Sequence, residues 1–182
     1  MSTPFKTQSG YSSTGKLLHW VIAILVLSQF VVSWLMPDVK MRMVSELVNL
    51  HLSIGILILA AMAIRFVHRL AHPVPIEMIG SPRWERVTAL ATHLAIYFIL
   101  LVGPFLGWAS ASAHDVPVTF FGLVTLPALA SPRARWALTA GDLHTYMMWT
   151  LLGLITLHVL AALYHHFVRH DGVLRRMLPH HA

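Results

Sequence analysis

The chain has 182 residues, of which 57% are hydrophobic and only 11% charged, where a soluble domain would carry about 25% charged residues. It contains no cysteine, which excludes disulfides, iron–sulfur clusters and any C-x-x-C-H attachment site. The net charge of +6 and pI near 10.3 do not imply a nucleic-acid partner, because the basic residues segregate by membrane topology.

Residues 1–15 are polar, rich in Ser, Thr and Gly, and read as a mobile tail. A charge-free run follows over 17–36, 20 residues long. It is too long for the apolar core of a signal peptide and lacks a small-residue cleavage site, so it reads as a retained span. The polar connection 37–46 is short, which makes the first two spans antiparallel neighbours. The second run, 47–64, has 18 uncharged residues. Residues 71–86 contain His72-Pro73-Val74-Pro75 and Ser81-Pro82, a proline-punctuated loop. The third run, 87–114, has 28 residues. Its Gly103-Pro104 predicts a kink, and Gly103 with Gly107 forms a small-xxx-small pair suited to close helix approach. The uncharged stretch 116–132 holds Pro117, Pro127 and Pro132 and reads as a loop lying at the surface, within a long connection over about 110–141. The fourth run, 143–168, has 26 residues.

Each of the four runs meets or nearly meets the ~20 residues needed to cross a hydrocarbon core of ~30 Å as a helix. The fold class expected is all-α, an integral membrane four-helix bundle with spans at about 17–36, 47–70, 87–110 and 143–168, forming one domain over 1–182. With the amino terminus inside, nine basic and three acidic residues lie on the cytoplasmic side, against four of each outside. The excess of Lys and Arg places both termini in the cytoplasm.

Four histidines stand within these runs, each after a leucine: His19, His51, His144 and His158. Imidazoles in a bilayer are costly and mark function more often than not. On the expected topology His19 and His158 lie near the inner face, and His51 and His144 near the outer. His144 and His158 are fourteen residues apart, ~21 Å along one helix and nearly on one face. His19 therefore faces His158, and His51 faces His144. Two imidazoles from different helices at one depth suit the axial positions of haem iron, and Gly55, one turn after His51, leaves room for a porphyrin. With both axial positions filled, the expected task is electron transfer rather than oxygen chemistry. His93, also at inner depth, is a reserve ligand candidate. The competing reading is a non-redox, zinc-binding membrane protein, since His68 with His72 and His166 with His170 have i,i+4 spacing. No carboxylate or cysteine joins either pair.

The motifs Lys16-Leu17-Leu18-His19-Trp20, Asn49-Leu50-His51-Leu52-Ser53-Ile54-Gly55, Arg65 with Arg69, Asp142-Leu143-His144, Leu157-His158, Tyr164-His165-His166 and Leu174-Arg175-Arg176-Met177-Leu178-Pro179 together resemble the bacterial cytochrome b561 family of four-span, di-haem membrane cytochromes. The resemblance runs from about Tyr11 to Pro179. It implies two haems b with His19, His51, His144 and His158 as iron ligands, and electron exchange with the quinone pool of the bacterial inner membrane. Some members resemble superoxide oxidases, passing electrons from superoxide outside to ubiquinone. The alternative within the family is a b-type subunit carrying electrons between quinone and an outer redox protein. Arg65 and Arg69 are expected either to anchor the inner face or to pair with haem propionates. Lys16, Trp20 and His165 are the expected quinone contacts, with His165 bonding or protonating a quinone oxygen. Lys40, Arg42, Arg133 and Arg135 could attract superoxide, although the outer side has no net charge.

Overall fold

The computed structural model describes residues 12–36, 46–73, 82–171 and 173–178. The tail before Ser12, nearly all of the 37–46 connection with Lys40 and Arg42, most of the proline-punctuated loop and Pro179 lie outside the described residues.

Four long helices form the bundle: α1 (Ser13–Leu35), α2 (Glu46–Ala71), α3 (Arg83–Ala113) and α4 (Arg135–Phe167). All four are long and apolar enough to cross a membrane. Helix α1 starts at Ser12, whose hydroxyl accepts the Gly15 N–H at 3.1 Å, a cap for one of the unpaired donors of the first turn. Each helix starts before its uncharged run, and α2 also continues past the end of its run. The largest difference is α4, which starts eight residues before the expected span and takes Arg135 and Asp142 into its first turns. Charge forbids hydrocarbon but not helix, so hydropathy marks the membrane-buried part rather than the end of the hydrogen-bond ladder. Helix α3 runs through Pro104 as one element, although the proline ring removes one rung of that ladder.

Close backbone approaches pair α3 with α4, α1 with α2 and, less extensively, α2 with α3. Among the described residues, α4 makes no comparable approach to α1 or α2. Ile22, Val26, Ile58, Met62, Leu100 and Leu151 fill the central core. A second cluster of alanines (Ala109, Ala113, Ala130, Ala137 and Ala140) joins the far end of α3 to the start of α4. Large apolar side chains such as Ile24, Val67 and Trp149 remain exposed on the outside, as lipid rather than water surrounds the spans.

The stretch between α3 and α4 is more ordered than the expected loop. It holds a hairpin of β1 (Thr119–Phe120) and β2 (Val124–Thr125), with Thr119 opposite Thr125. Phe121 (φ 48°) and Gly122 (φ 72°) make the left-handed turn, and Leu123 N–H closes it on Phe120 O at 3.0 Å. The hairpin is fastened to α2 by Ser53. The hydroxyl of this fully buried serine shares its proton between the carbonyls of Asn49 (2.8 Å) and Thr119 (3.1 Å) and accepts the Phe121 N–H at 2.9 Å. Thr119 Oγ1 also donates to Asn49 Oδ1.

The α3–α4 seam depends on small residues. A Cβ added at Gly141 would run into the Ser110 hydroxyl, with Ser110 Cβ only 3.1 Å away. Overfilling such a seam costs about 1–3 kcal/mol. Gly141→Val should therefore lower the unfolding temperature in detergent, and adding Ser110→Gly should recover part of the loss. Equal melting of Gly141→Val and wild type would mean the seam is looser than this packing.

Candidate functional site

The two histidine pairs face each other where α4 stands off from α1 and α2. The rings of His19 on α1 and His158 on α4 have centroids 6.3 Å apart, tilted by 30°. The rings of His51 on α2 and His144 on α4 are also 6.3 Å apart, at 82°. A gap of this width would admit a metal ion held by one nitrogen of each ring at about 2.0–2.1 Å. Both pairs have that spacing.

Hydrogen bonding prepares the rings further. His144 Nδ1 lies 2.8 Å from Gly103 O. A carbonyl only accepts, so Nδ1 carries the proton and Nε2 keeps its lone pair, the arrangement in which histidine binds metal. Nδ1 of His19 and of His51 are buried without a hydrogen-bond partner. A buried polar atom left alone is expensive, so these rings are incomplete without a further group. Gly107 lets α3 approach the His144 ring closely, since a Cβ there would sit 3.2–3.6 Å from it. A Cβ at Gly55 would have only the amide of Gln29 within 4 Å, so the space beside it is largely open, and that amide donates to His51 O at 2.9 Å.

Around the other pair, His93 of α3 stands edge-on to His158 at 5.2 Å and 75°. It flanks the pair rather than facing either ring across the gap. Arg65 binds three helices together: its Nε donates to Tyr97 Oη on α3 at 2.9 Å and its Nη1 to Gly15 O on α1 at 2.6 Å. Arg69 is half-buried one turn further along α2.

Residues 10–180 match the prokaryotic cytochrome b561 family. The chain belongs to that family. It is 31% identical over 174 residues to cytochrome b561 homolog 2 of Escherichia coli K12, covering 94% of this chain and 93% of that protein. Cytochrome b561 homolog 1 of the same organism is 25% identical, covering 93% and 97%. The probable superoxide oxidase CybB of Yersinia pestis is 28% identical, covering 89% and 92%. The protein is therefore a b-type haem cytochrome of the bacterial inner membrane with an electron-transfer role. The paired imidazoles, their spacing and their unpartnered nitrogens fit such a group.

In this cytochrome the expected quinone residues lie under the carboxy-terminal segment. After α4 the chain folds back as a 3-10 turn (Arg175–Met177). Lys16 Nζ donates to Leu178 O at 3.2 Å and Trp20 Nε1 to Met177 O at 2.9 Å, so both expected contacts also pin that segment to α1. His165 is buried, and its Nδ1 lies 2.5 Å from Asp171 Oδ2. Asp171 had carried no expected role. Its partial burial alone would raise its pKa, but the His165 bond, the Val173 N–H and the charges of His165 and Arg169 together hold the carboxyl below its usual value.

The other candidate sites are weaker. The His68 and His72 rings stack at 4.6 Å, and His72 Nδ1 bonds back to His68 O at 3.2 Å. His170 lies past the end of α4 with φ 51°, so it shares no helical face with His166. Among the described residues no three His, Cys, Asp or Glu side chains could hold a metal ion together. Arg133 and Arg135 are exposed at the start of α4, with Arg133 in the left-handed region and its N–H bonded to Ala113 O at 2.8 Å.

The Arg65 clamp has a measurable consequence. Removing the phenol in Tyr97→Phe takes an acceptor from a charged donor, a loss of about 1–3 kcal/mol. Thermal unfolding in detergent, followed by the Soret band, should shift downward in this variant, more than in Tyr146→Phe, whose exposed ring on α4 serves as the control.

Proposed function

We propose that this cytochrome holds two haems b and passes single electrons from superoxide to ubiquinone. The observation that carries the reading is the equal 6.3 Å spacing of two histidine pairs whose members on α4 are fourteen residues apart, ~21 Å along the helix. His19 and His158 would hold one haem, and His51 and His144 the other. Bound there, haem b would supply one-electron redox chemistry. Arg65 and Arg69 provide cationic partners for propionates beside the His19–His158 pair.

The excess of Lys and Arg supports a cytoplasmic position for the His19–His158 end and for both termini. Arg133 and Arg135, exposed beside the opposite end, would draw in an anion, together with Lys40 and Arg42. The likeness to a probable superoxide oxidase over most of both chains supports superoxide as that anion. At the cytoplasmic end Lys16, Trp20 and His165 form the quinone site. Lys16 offsets negative charge on a reduced quinone oxygen, and His165 hands it a proton. Two superoxide ions become two molecules of dioxygen, and one quinone takes up two electrons and two protons.

Two measurements test this. Reduced-minus-oxidised spectra with haem quantification should give two low-spin haems b per chain. His19→Ala or His158→Ala should remove one spectral component, and His51→Ala or His144→Ala the other, each cutting haem content by about half. If His19→Ala and His51→Ala depleted the same component, the pairing would be wrong. Superoxide supplied to purified protein in liposomes should drive ubiquinone reduction. No reduction with both haems present would leave a carrier that depends on a protein donor.

A further inference from the structure

The end of α4 contains a hydrogen-bonded pair that its sequence neighbours do not announce. The N–H groups of Val168 and Arg169 both return to Tyr164 O, at 2.9 and 3.2 Å. His170 then adopts φ 51°, a left-handed conformation uncommon for residues with a side chain. This reverses the chain and brings Asp171 N–H to His165 O at 3.2 Å. The carboxylate lands with Oδ2 2.5 Å from His165 Nδ1, while Oδ1 accepts the Val173 N–H at 3.2 Å. One step outward, Arg169 Nη1 reaches Glu85 Oε1 of α3 at 3.3 Å, which fixes the reversal against the bundle.

A carboxylate that only capped the reversal would need no more than the Val173 N–H and water, since its side chain is 33% exposed. Its second oxygen is instead given to a histidine side chain that is 11% exposed. A carboxylate on one ring nitrogen fixes the tautomer and turns the ring. The proton is held on Nδ1, so Nε2 is the nitrogen that exchanges protons with a substrate.

We propose that Asp171 is a positioning residue for proton delivery to quinone, acting through His165. The inference rests on the quinone reading of this end and adds to it the group that orients His165 and sets its tautomer. The N–H bond at Nε2 of protonated His165 breaks and an O–H bond forms on the quinone oxygen. The neutral Nδ1–H tautomer remains, bonded to Asp171, and Nε2 takes a new proton from water at that membrane face. The electrons come singly from superoxide, which leaves as dioxygen.

The test uses the haem-loaded protein in nanodiscs with Asp171→Asn, Asp171→Glu and His165→Gln. In Asp171→Asn the haem spectrum and the rate of haem reduction by superoxide should be unchanged. The kcat for ubiquinone should fall about 10- to 100-fold with KM within about twofold, and Asp171→Glu should recover most of it. Nitrogen NMR of histidine-labelled protein, with His165 assigned by its loss in His165→Gln, should show the Nδ1–H tautomer in wild type and a growing Nε2–H share in Asp171→Asn. An unchanged kcat in Asp171→Asn, while His165→Gln is slow, would overturn the role of Asp171 alone. Normal turnover in both variants would overturn the quinone reading itself. Haem loss or faster amide exchange over 173–178 in Asp171→Asn, with kcat restored by no carboxylate, would reduce Asp171 to a structural cap and also overturn the proposal.

Discussion

Polar rings at membrane depth must be satisfied by something other than water, and the rest of this bundle follows from that constraint. Four imidazoles sit on helices long and apolar enough to cross a membrane. They carry no charged partner across the gap; each faces another imidazole at 6.3 Å. Two rings at that distance do not satisfy one another, and two of the four leave Nδ1 unpartnered. Such an arrangement is suited to hold a group between the rings, and the family to which the chain belongs binds b-type haem.

The same constraint explains the packing asymmetry. Helix α4 supplies one ring to each pair and stands away from both α1 and α2. Its anchoring therefore falls on α3. Small residues make the α3–α4 contact close: Gly141 against Ser110, Gly103 against Met148, and Gly107 against the His144 ring. Gly103 serves twice, because its carbonyl also accepts the His144 Nδ1 proton. A seam of glycines and alanines thus sets both where α4 lies and which nitrogen of His144 is free. On the opposite side, Arg65 fixes α1 and α3 to α2 through Gly15 O and Tyr97 Oη.

What the sequence made legible is what hydropathy and helical periodicity encode. The cores of four spans, the two histidine depths and the pairing across helices follow from uncharged runs and the fourteen-residue interval. Helix ends were less visible, because Arg135 and Asp142 stop a hydropathy run without stopping a helix. The hairpin was read as an irregular surface loop, since its fastening to Ser53 is a contact between residues more than sixty positions apart that composition does not record. Asp171 went unremarked because its link to His165 depends on the left-handed turn at His170, and periodicity from α4 does not extend past the helix end. His170 failed as a partner for His166 for the same reason.

The two ends of the bundle are built differently, and the difference bears on the direction of traffic. The His51–His144 end is bordered by a hairpin with an uncharged sequence that is hydrogen-bonded to α2 two residues from His51. Amide groups border it: the Gly103 carbonyl accepts from the His144 ring, and the Gln29 amide donates to the backbone carbonyl of His51. The His19–His158 end gathers groups that move or balance protons: Lys16, Arg65, His93, His165 and Asp171. Accepting an electron from a small anion requires no proton, whereas reducing a quinone requires two. An end furnished with fixed dipoles suits the first task, and an end furnished with exchangeable protons suits the second. Under the proposed function, electrons would therefore enter beside His51 and His144 and leave beside His19 and His158, where groups able to supply protons are gathered.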